Sequence, residues 1–110
     1  MPSGLPATGI TEQPQIPKEY SLKQNYPNPI NPVTTIGFDL PERSRIKVRI
    51  YSILGQTVEI IFDSEVSAGY YEKRWSADIA SGFYFYRIEA VSVVNPSERF
   101  VNVRKMQLLK

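Results

Sequence analysis

Apolar residues recur at every second position over much of the chain beyond Val33, the pattern of strands with one buried and one wet face. Thr34, Ile36, Phe38 and Leu40 fall on one side of a first long strand, against Val33, Thr35, Gly37 and Asp39. Ile46, Val48 and Ile50 then alternate with Arg45, Lys47 and Arg49, which leaves the basic side for water. Ile53, Leu54, Gly55 and Gln56 read as a turn in which Gly55 supplies a positive φ. Beyond it Val58, Ile60 and Phe62 alternate with Thr57, Glu59 and Ile61, so the two runs are expected to pair as a hairpin. Ser67, Ala68 and Gly69 break the pattern before Tyr71, Lys73 and Trp75. Ser81 and Gly82 then introduce residues 83–88, which are apolar on both faces and read as a central strand. After a turn at Asn95, Pro96 and Ser97, residues 99–109 form a last strand whose alternation is imperfect and suggests a bulge. With a short strand near residues 20–24 and no helical period, the expectation is an all-β chain: an antiparallel immunoglobulin-like β-sandwich of about seven strands.

Residues 1–19 contain four of the nine prolines and few apolar side chains, so they read as a Pro-rich linker or an expression-derived segment. The domain proper is expected over residues 20–110, at the C-terminal end of a larger polypeptide. At 110 residues one core is the natural outcome. Without cysteine or histidine there is no thiolate, disulfide, imidazole base or imidazole ligand, which removes most hydrolase and metalloenzyme chemistry. No run approaches the roughly 20 apolar residues of a membrane-spanning helix.

The charges, 13 Lys and Arg against 11 Asp and Glu, are interspersed except at the end, where Arg99, Arg104, Lys105 and Lys110 follow the last acid, Glu98. Four cations without a recognition helix or aromatic platform do not make a nucleic-acid reader. The acid pairs Asp63 with Glu65 and Asp39 with Glu42 sit in ordinary turn sequence, and a small sandwich leaves little room for a glycosidase cleft. Asp63, Glu65 and Asp78 match no oxygen-ligand loop for calcium. No phosphate-binding glycine motif occurs. The expectation is therefore no enzyme, no catalytic residue, no metal and no cofactor.

Residues 22–32 hold three prolines and three asparagines, and each proline restricts its predecessor while Asn28 and Asn31 can bond nearby backbone groups. This rigid segment is either a stiff lid over one end of the sandwich or a polar surface that a partner reads. Tyr71, Trp75, Tyr84 and Tyr86 are expected in the core, while an exposed Tyr70, Phe83 or Phe85 would provide a sugar-stacking face. The terminal strand has two readings as well. Met106, Leu108 and Leu109 either close the core or belong to an edge strand that a partner extends, with Lys105 and Lys110 discouraging unwanted pairing.

The run LKQNYPNPINPVTTIGFDLP resembles the opening of the C-terminal sorting domain of type IX secretion substrates, the type A sorting family of certain Gram-negative bacteria. The blocks IKVRIYSILGQTV, AGYYEKRW and SGFYFYRIEA follow in the family's order, and residues 105–110 resemble its Lys-Met-x-Leu-Leu-basic ending. Departures are Lys73 in place of a small apolar residue, Tyr71 in place of a histidine or similar residue, Ser76 and Ala77 in place of Asp-Gly, and a longer stretch from Val91 to Arg99. A bulge that turns Lys73 outward is the expected accommodation.

The resemblance implies an immunoglobulin-like sandwich, similar to that of flagellar hook-capping proteins, and a noncatalytic secretion signal. It implies passage through the periplasm and delivery of cargo to the cell surface or medium. The implied partners are the type IX translocon and a sortase-like peptidase that later removes the domain, with no nucleic acid, no direct membrane span and a monomeric state. Asn28, Pro29, Asn31, Pro32, Gly55, Gln56, Lys105, Met106, Leu108, Leu109 and Lys110 are the recognition residues this reading proposes. The alternative from another class is a carbohydrate-binding or cell-wall attachment module of a secreted enzyme.

Overall fold

A computed structural model describes residues 16–109 of the chain. Seven strands run in order: β1 (Ser21–Leu22), β2 (Val33–Leu40), β3 (Ser44–Ser52), β4 (Thr57–Val66), β5 (Gly69–Ser76), β6 (Gly82–Ser92) and β7 (Arg99–Leu108). They form two antiparallel sheets, β1-β2-β5 and β4-β3-β6-β7, and no helix occurs among the described residues.

Period-two alternation positions the core directly. Ile36, Phe38 and Leu40 from β2 face Ile46, Val48 and Ile50 from β3, Tyr86, Ile88 and Ala90 from β6, and Met106 and Leu108 from β7, all buried. Each fully buried aliphatic side chain contributes about 1.5–3 kcal/mol relative to exposure, so this double layer is the main source of stability. Phe38 stacks on Tyr71 with ring centroids 5.5 Å apart and meets Phe62 edge-on at 5.3 Å, which joins both sheets around one aromatic cluster.

Three expectations need correction. β7 carries no bulge: it pairs with β6 in unbroken register from Gly82↔Leu108 to Val91↔Arg99. Its alternation is imperfect in sequence because Asn102 and Arg104 occupy inward-facing rows, which an edge strand tolerates. Arg104 Nε donates to the Leu22 carbonyl at 2.6 Å. The irregularity lies instead between β3 and β4, where the register shifts at Val48/Arg49 and at Ile50/Tyr51. The first shift turns Ile61 inward, 8% exposed, and leaves Ile60 outside at 48%, exchanging the roles expected of these two residues, while Val58 and Phe62 pack against the core as expected.

Lys73 also reaches water without a bulge. It lies opposite Ile36 in a regular β2–β5 register, and it is exposed because β5 is the sheet edge.

The chain enters and leaves this sandwich at opposite ends. Ser21 pairs with Asp39, and Tyr20 stacks on Phe100 at 5.6 Å while its hydroxyl bonds Ser44 Oγ at 2.7 Å. Residue 109 lies beyond Leu108, which pairs with Gly82 at the far end of β6. At about 3.4 Å per residue, the ten residues of β7 separate the two poles by roughly 30 Å. We call them the proximal pole, where β1 begins, and the distal pole.

Candidate functional site

The distal pole gathers nearly all the residues that the sequence singles out. Ser52 pairs with Tyr84, and Gly82 with Leu108, so the β3–β4 turn, the start of β6 and the end of β7 lie at the same end. The segment of residues 25–32 lies between the sheets at this end, held by bonds to residues far away in sequence.

Ile30 is the centre of that attachment. It is fully buried, forms a parallel bridge with Leu108, donates to the Gln107 carbonyl (2.7 Å) and accepts from Leu109 N–H (3.0 Å). Asn28 Oδ1 accepts from Gln107 N–H at 3.1 Å, so its side chain bonds the terminal strand rather than its own turn. Pro32 O accepts from Ala77 N–H (2.9 Å), and Tyr26 exchanges two backbone bonds with Thr35 at 2.9 and 3.0 Å. The Tyr26–Pro27 and Asn28–Pro29 peptides are cis. Asn31 and Pro32 are exposed, as are Asn28 and Pro29.

Beneath the segment lies a polar hub that the sequence reading missed. Asn25, 2% exposed, donates its backbone N–H to the Tyr86 hydroxyl oxygen at 2.8 Å, and Tyr86 donates to the Lys23 carbonyl at 2.6 Å. Asn25 Nδ2 donates to Thr34 Oγ1 (3.0 Å) and Pro27 O (3.1 Å), while Gln24 Nε2 donates to Asn25 Oδ1 (2.7 Å) and Lys105 O (2.9 Å). Burial pushes the Tyr86 hydroxyl up to about 12, against the lowering effects of its bond from Asn25 and the charge of Arg104. Tyrosine on a buried row demands a partner for its hydroxyl, which was the available sequence signal. That the partner is Asn25 depends on tertiary packing.

The β3–β4 turn is built on Ser52. Its carbonyl accepts from Gly55 N–H (2.9 Å), its N–H donates to Gln56 O (2.9 Å), and its Oγ accepts from Leu54 and Gln56 N–H at 3.2 and 3.3 Å. Gly55 has φ 84°, the left-handed conformation expected of it. This geometry leaves Ile53 and Leu54 at the tip, 68% and 80% exposed, beside exposed Gln56.

The terminal strand divides its roles. Met106 and Leu108 are buried and close the core, so their side chains offer nothing to a partner. Lys105 and Leu109 are exposed, with Lys105 Nζ 5.0 Å from the centroid of the Phe83 ring. Lys110 lies outside the described residues. The terminal end of the β7 edge is occupied by the chain's own segment, because Gln107 N–H and O, Leu109 N–H and Lys105 O all bond to it. A partner strand therefore has access only to the part of β7 toward Arg99, where Asn102 Oδ1 already takes the Val103 N–H (2.8 Å).

The acids expected to be turn residues are engaged in pairing: Asp63 with Arg45 (3.0 Å), Glu65 with Arg43 (2.7 Å) and Asp39 with Lys23 (3.1 Å). No cluster of three metal-ligating side chains occurs among the described residues. Trp75 and Tyr86 are buried, and Tyr71 and Tyr84 pack against the core. Tyr70 and Phe83 are exposed on different sheets, Phe83 and half-buried Phe85 on the outer face of the four-stranded one, so they form no common stacking platform.

Comparison with known proteins gives one family. The model of the secretion system C-terminal sorting domain matches residues 24–102, from the polar hub into the first four residues of β7 and short of the terminal Lys105 to Lys110 ending. No curated protein and no solved structure matches the chain. With the match covering most of its length, the chain belongs to the family of type IX secretion C-terminal sorting domains.

Proposed function

We propose that the domain is a noncatalytic label that carries an upstream cargo domain through the periplasm and across the outer membrane by the type IX translocon. A sortase-like peptidase removes it afterwards, releasing or anchoring the cargo at the cell surface. The surface read by the machinery is the distal pole: Asn28, Pro29, Asn31 and Pro32, the hairpin tip at Ile53, Leu54, Gly55 and Gln56, and the end formed by Lys105, Leu109 and Lys110.

The observation that carries this reading is the bonding of residues 25–32 to the last strand through Ile30 and Asn28, and to β6 through the Asn25–Tyr86 hub. Family membership supplies the sorting role, and this joint supplies a surface that exists only when the first and last parts of the domain have folded together. Met106 and Leu108 act from below by fixing that joint. The polypeptide leading into the domain enters at the proximal pole, roughly 30 Å away by strand length, which leaves the distal pole clear of cargo.

The test is export of a neutral periplasmic reporter fused ahead of residues 1–110 in a type IX-competent host. The reporter is expected at the surface or in the medium, and removal of residues 105–110 is expected to hold it in the periplasm as folded protein. A full-length fusion that stays periplasmic contradicts the reading.

A further inference from the structure

The outer face of β4-β3-β6-β7 divides into two halves of different charge. Toward the proximal pole, Arg45, Lys47 and Arg99 are matched by Asp63, Glu65 and Glu89. Toward the distal pole the same face carries Arg49, Arg87 and Lys105 among Tyr51, Ile60, Phe83, Phe85 and Val103, with no acid in these rows. Arg49 stands directly opposite Arg87 across β3 and β6, a like-charge pairing that sheets normally avoid. Arg49 Nε is buried and has no acceptor, and its Nη1 reaches only the Tyr51 hydroxyl at 3.5 Å. Glu89 relieves little of this. Arg99 holds its Oε2 through Nε and Nη2, leaving Oε1 3.6 Å from Arg87 Nη1.

We propose that this half-face binds an acidic, extended polypeptide segment, whose carboxylates engage Arg49, Arg87 and Lys105 while its apolar side chains rest on Tyr51 and Phe85. The inference goes beyond the sorting role and stands independently of it. The spacing favours a polypeptide over a small anion. Arg49 and Arg87 share one row, and Lys105, paired with Phe85, lies one row on. Rows two residues apart along a strand are separated by about 6.8 Å, the distance between alternate side chains of an extended chain. A lone phosphate needs donors that converge on one point, whereas these cations are distributed over three strands with aromatic surface between them. The Arg49 guanidinium, which has no acidic partner, and that of Arg87, which shares Glu89 with Arg99, are also suited to bidentate carboxylate contact.

The test is an NMR titration of the full chain with a blocked hexaglutamate peptide at low salt. Shifts are expected to concentrate at Arg49, Tyr51, Phe85, Arg87 and Lys105, and binding to weaken steeply as salt rises from about 0.05 to 0.5 M. The double variant Arg49→Gln, Arg87→Gln should lose about tenfold or more in affinity, while Arg45→Gln, Arg99→Gln on the other half should change it less than about twofold. Melting of the Gln double variant at or above the parent temperature separates lost binding from lost fold. Should that variant not fold, Arg87→Gln alone carries the same expectation. Absence of binding, shifts spread equally over both halves, or unchanged affinity in the variants overturns the proposal. Inorganic phosphate, or vesicles of phosphatidylglycerol in phosphatidylcholine, binding these residues as tightly as the peptide overturns the polypeptide assignment.

Discussion

The two poles of the sandwich are held by different kinds of interaction. At the proximal pole side chains do most of the joining, through the Tyr20–Phe100 stack, the Tyr20–Ser44 bond (2.7 Å) and the exposed Arg43–Glu65 ion pair, while the loop there is held locally by Glu98 N–H to Asn95 O (2.8 Å) and Ser97 to Asn95 Oδ1 (2.8 Å). Glu98 there is pushed above the ordinary carboxylate range by its hydrogen bond to Glu42 and the neighbouring charge, a small frustration that a solvated loop can absorb. At the distal pole the joining is through buried and backbone bonds: Asn25 bonds Tyr86, Asn28 bonds Gln107, and Ile30 bonds the backbone of Gln107 and Leu109, tying the start of the domain to β6 and to its last strand. A surface assembled this way reports completion of the fold, while the solvated proximal loop can vary at little cost.

Substitutions test that contrast most strongly at Ile30. Ile30→Ala removes a fully buried side chain from the joint and should cost about 2–5 kcal/mol in denaturant unfolding, as a core substitution does. A cost under about 1 kcal/mol would place Ile30 outside the cooperative core.

Tyr86→Phe comes next. It leaves the Asn25 N–H and the Lys23 carbonyl without their partner and should cost about 1–3 kcal/mol. The same hydroxyl has a pH signature. Its pKa rises from 10.0 to about 12 on folding, so the neutral form is favoured in the native state. Its contribution is intact below pH 10 and is lost as the pH climbs through about 12. Unfolding measured across that window should lose a component of its alkaline slope in the Phe variant.

At the proximal pole Arg43→Ala should change stability by less than about 1 kcal/mol, because the pair it breaks is exposed. A larger loss would erase the distinction between the poles.

Much of this architecture was legible in the sequence. β2 and β3 follow directly from strict alternation, and Gly55 marks the hairpin turn through its need for positive φ. In β4 the inward placement of Val58 and Phe62 was legible, but the exchange of Ile60 and Ile61 was not, since only the register shift against β3 selects which of two adjacent isoleucines turns inward. β7 misled in the opposite sense. Val101 and Val103 face outward and Asn102 and Arg104 inward, an arrangement possible at an edge strand with a carbonyl near enough to satisfy Arg104. The asparagine-proline segment announced its rigidity through composition. Its anchor, Ile30, reads locally as one apolar residue among turn formers, and its partners lie 78 residues or so downstream at Leu108.

The central claim, that export reads the distal pole, is tested most directly by comparing two surface variants of similar stability in the reporter fusion. Ile53→Ser, Leu54→Ser alters the exposed tip at the distal pole, and Val93→Ser, Val94→Ser alters an exposed pair at the proximal pole. The account predicts that the first lowers the exported fraction about tenfold or more while the second leaves it within about twofold of the parent. Normal export of the first variant, or loss of export in the second alone, would contradict it.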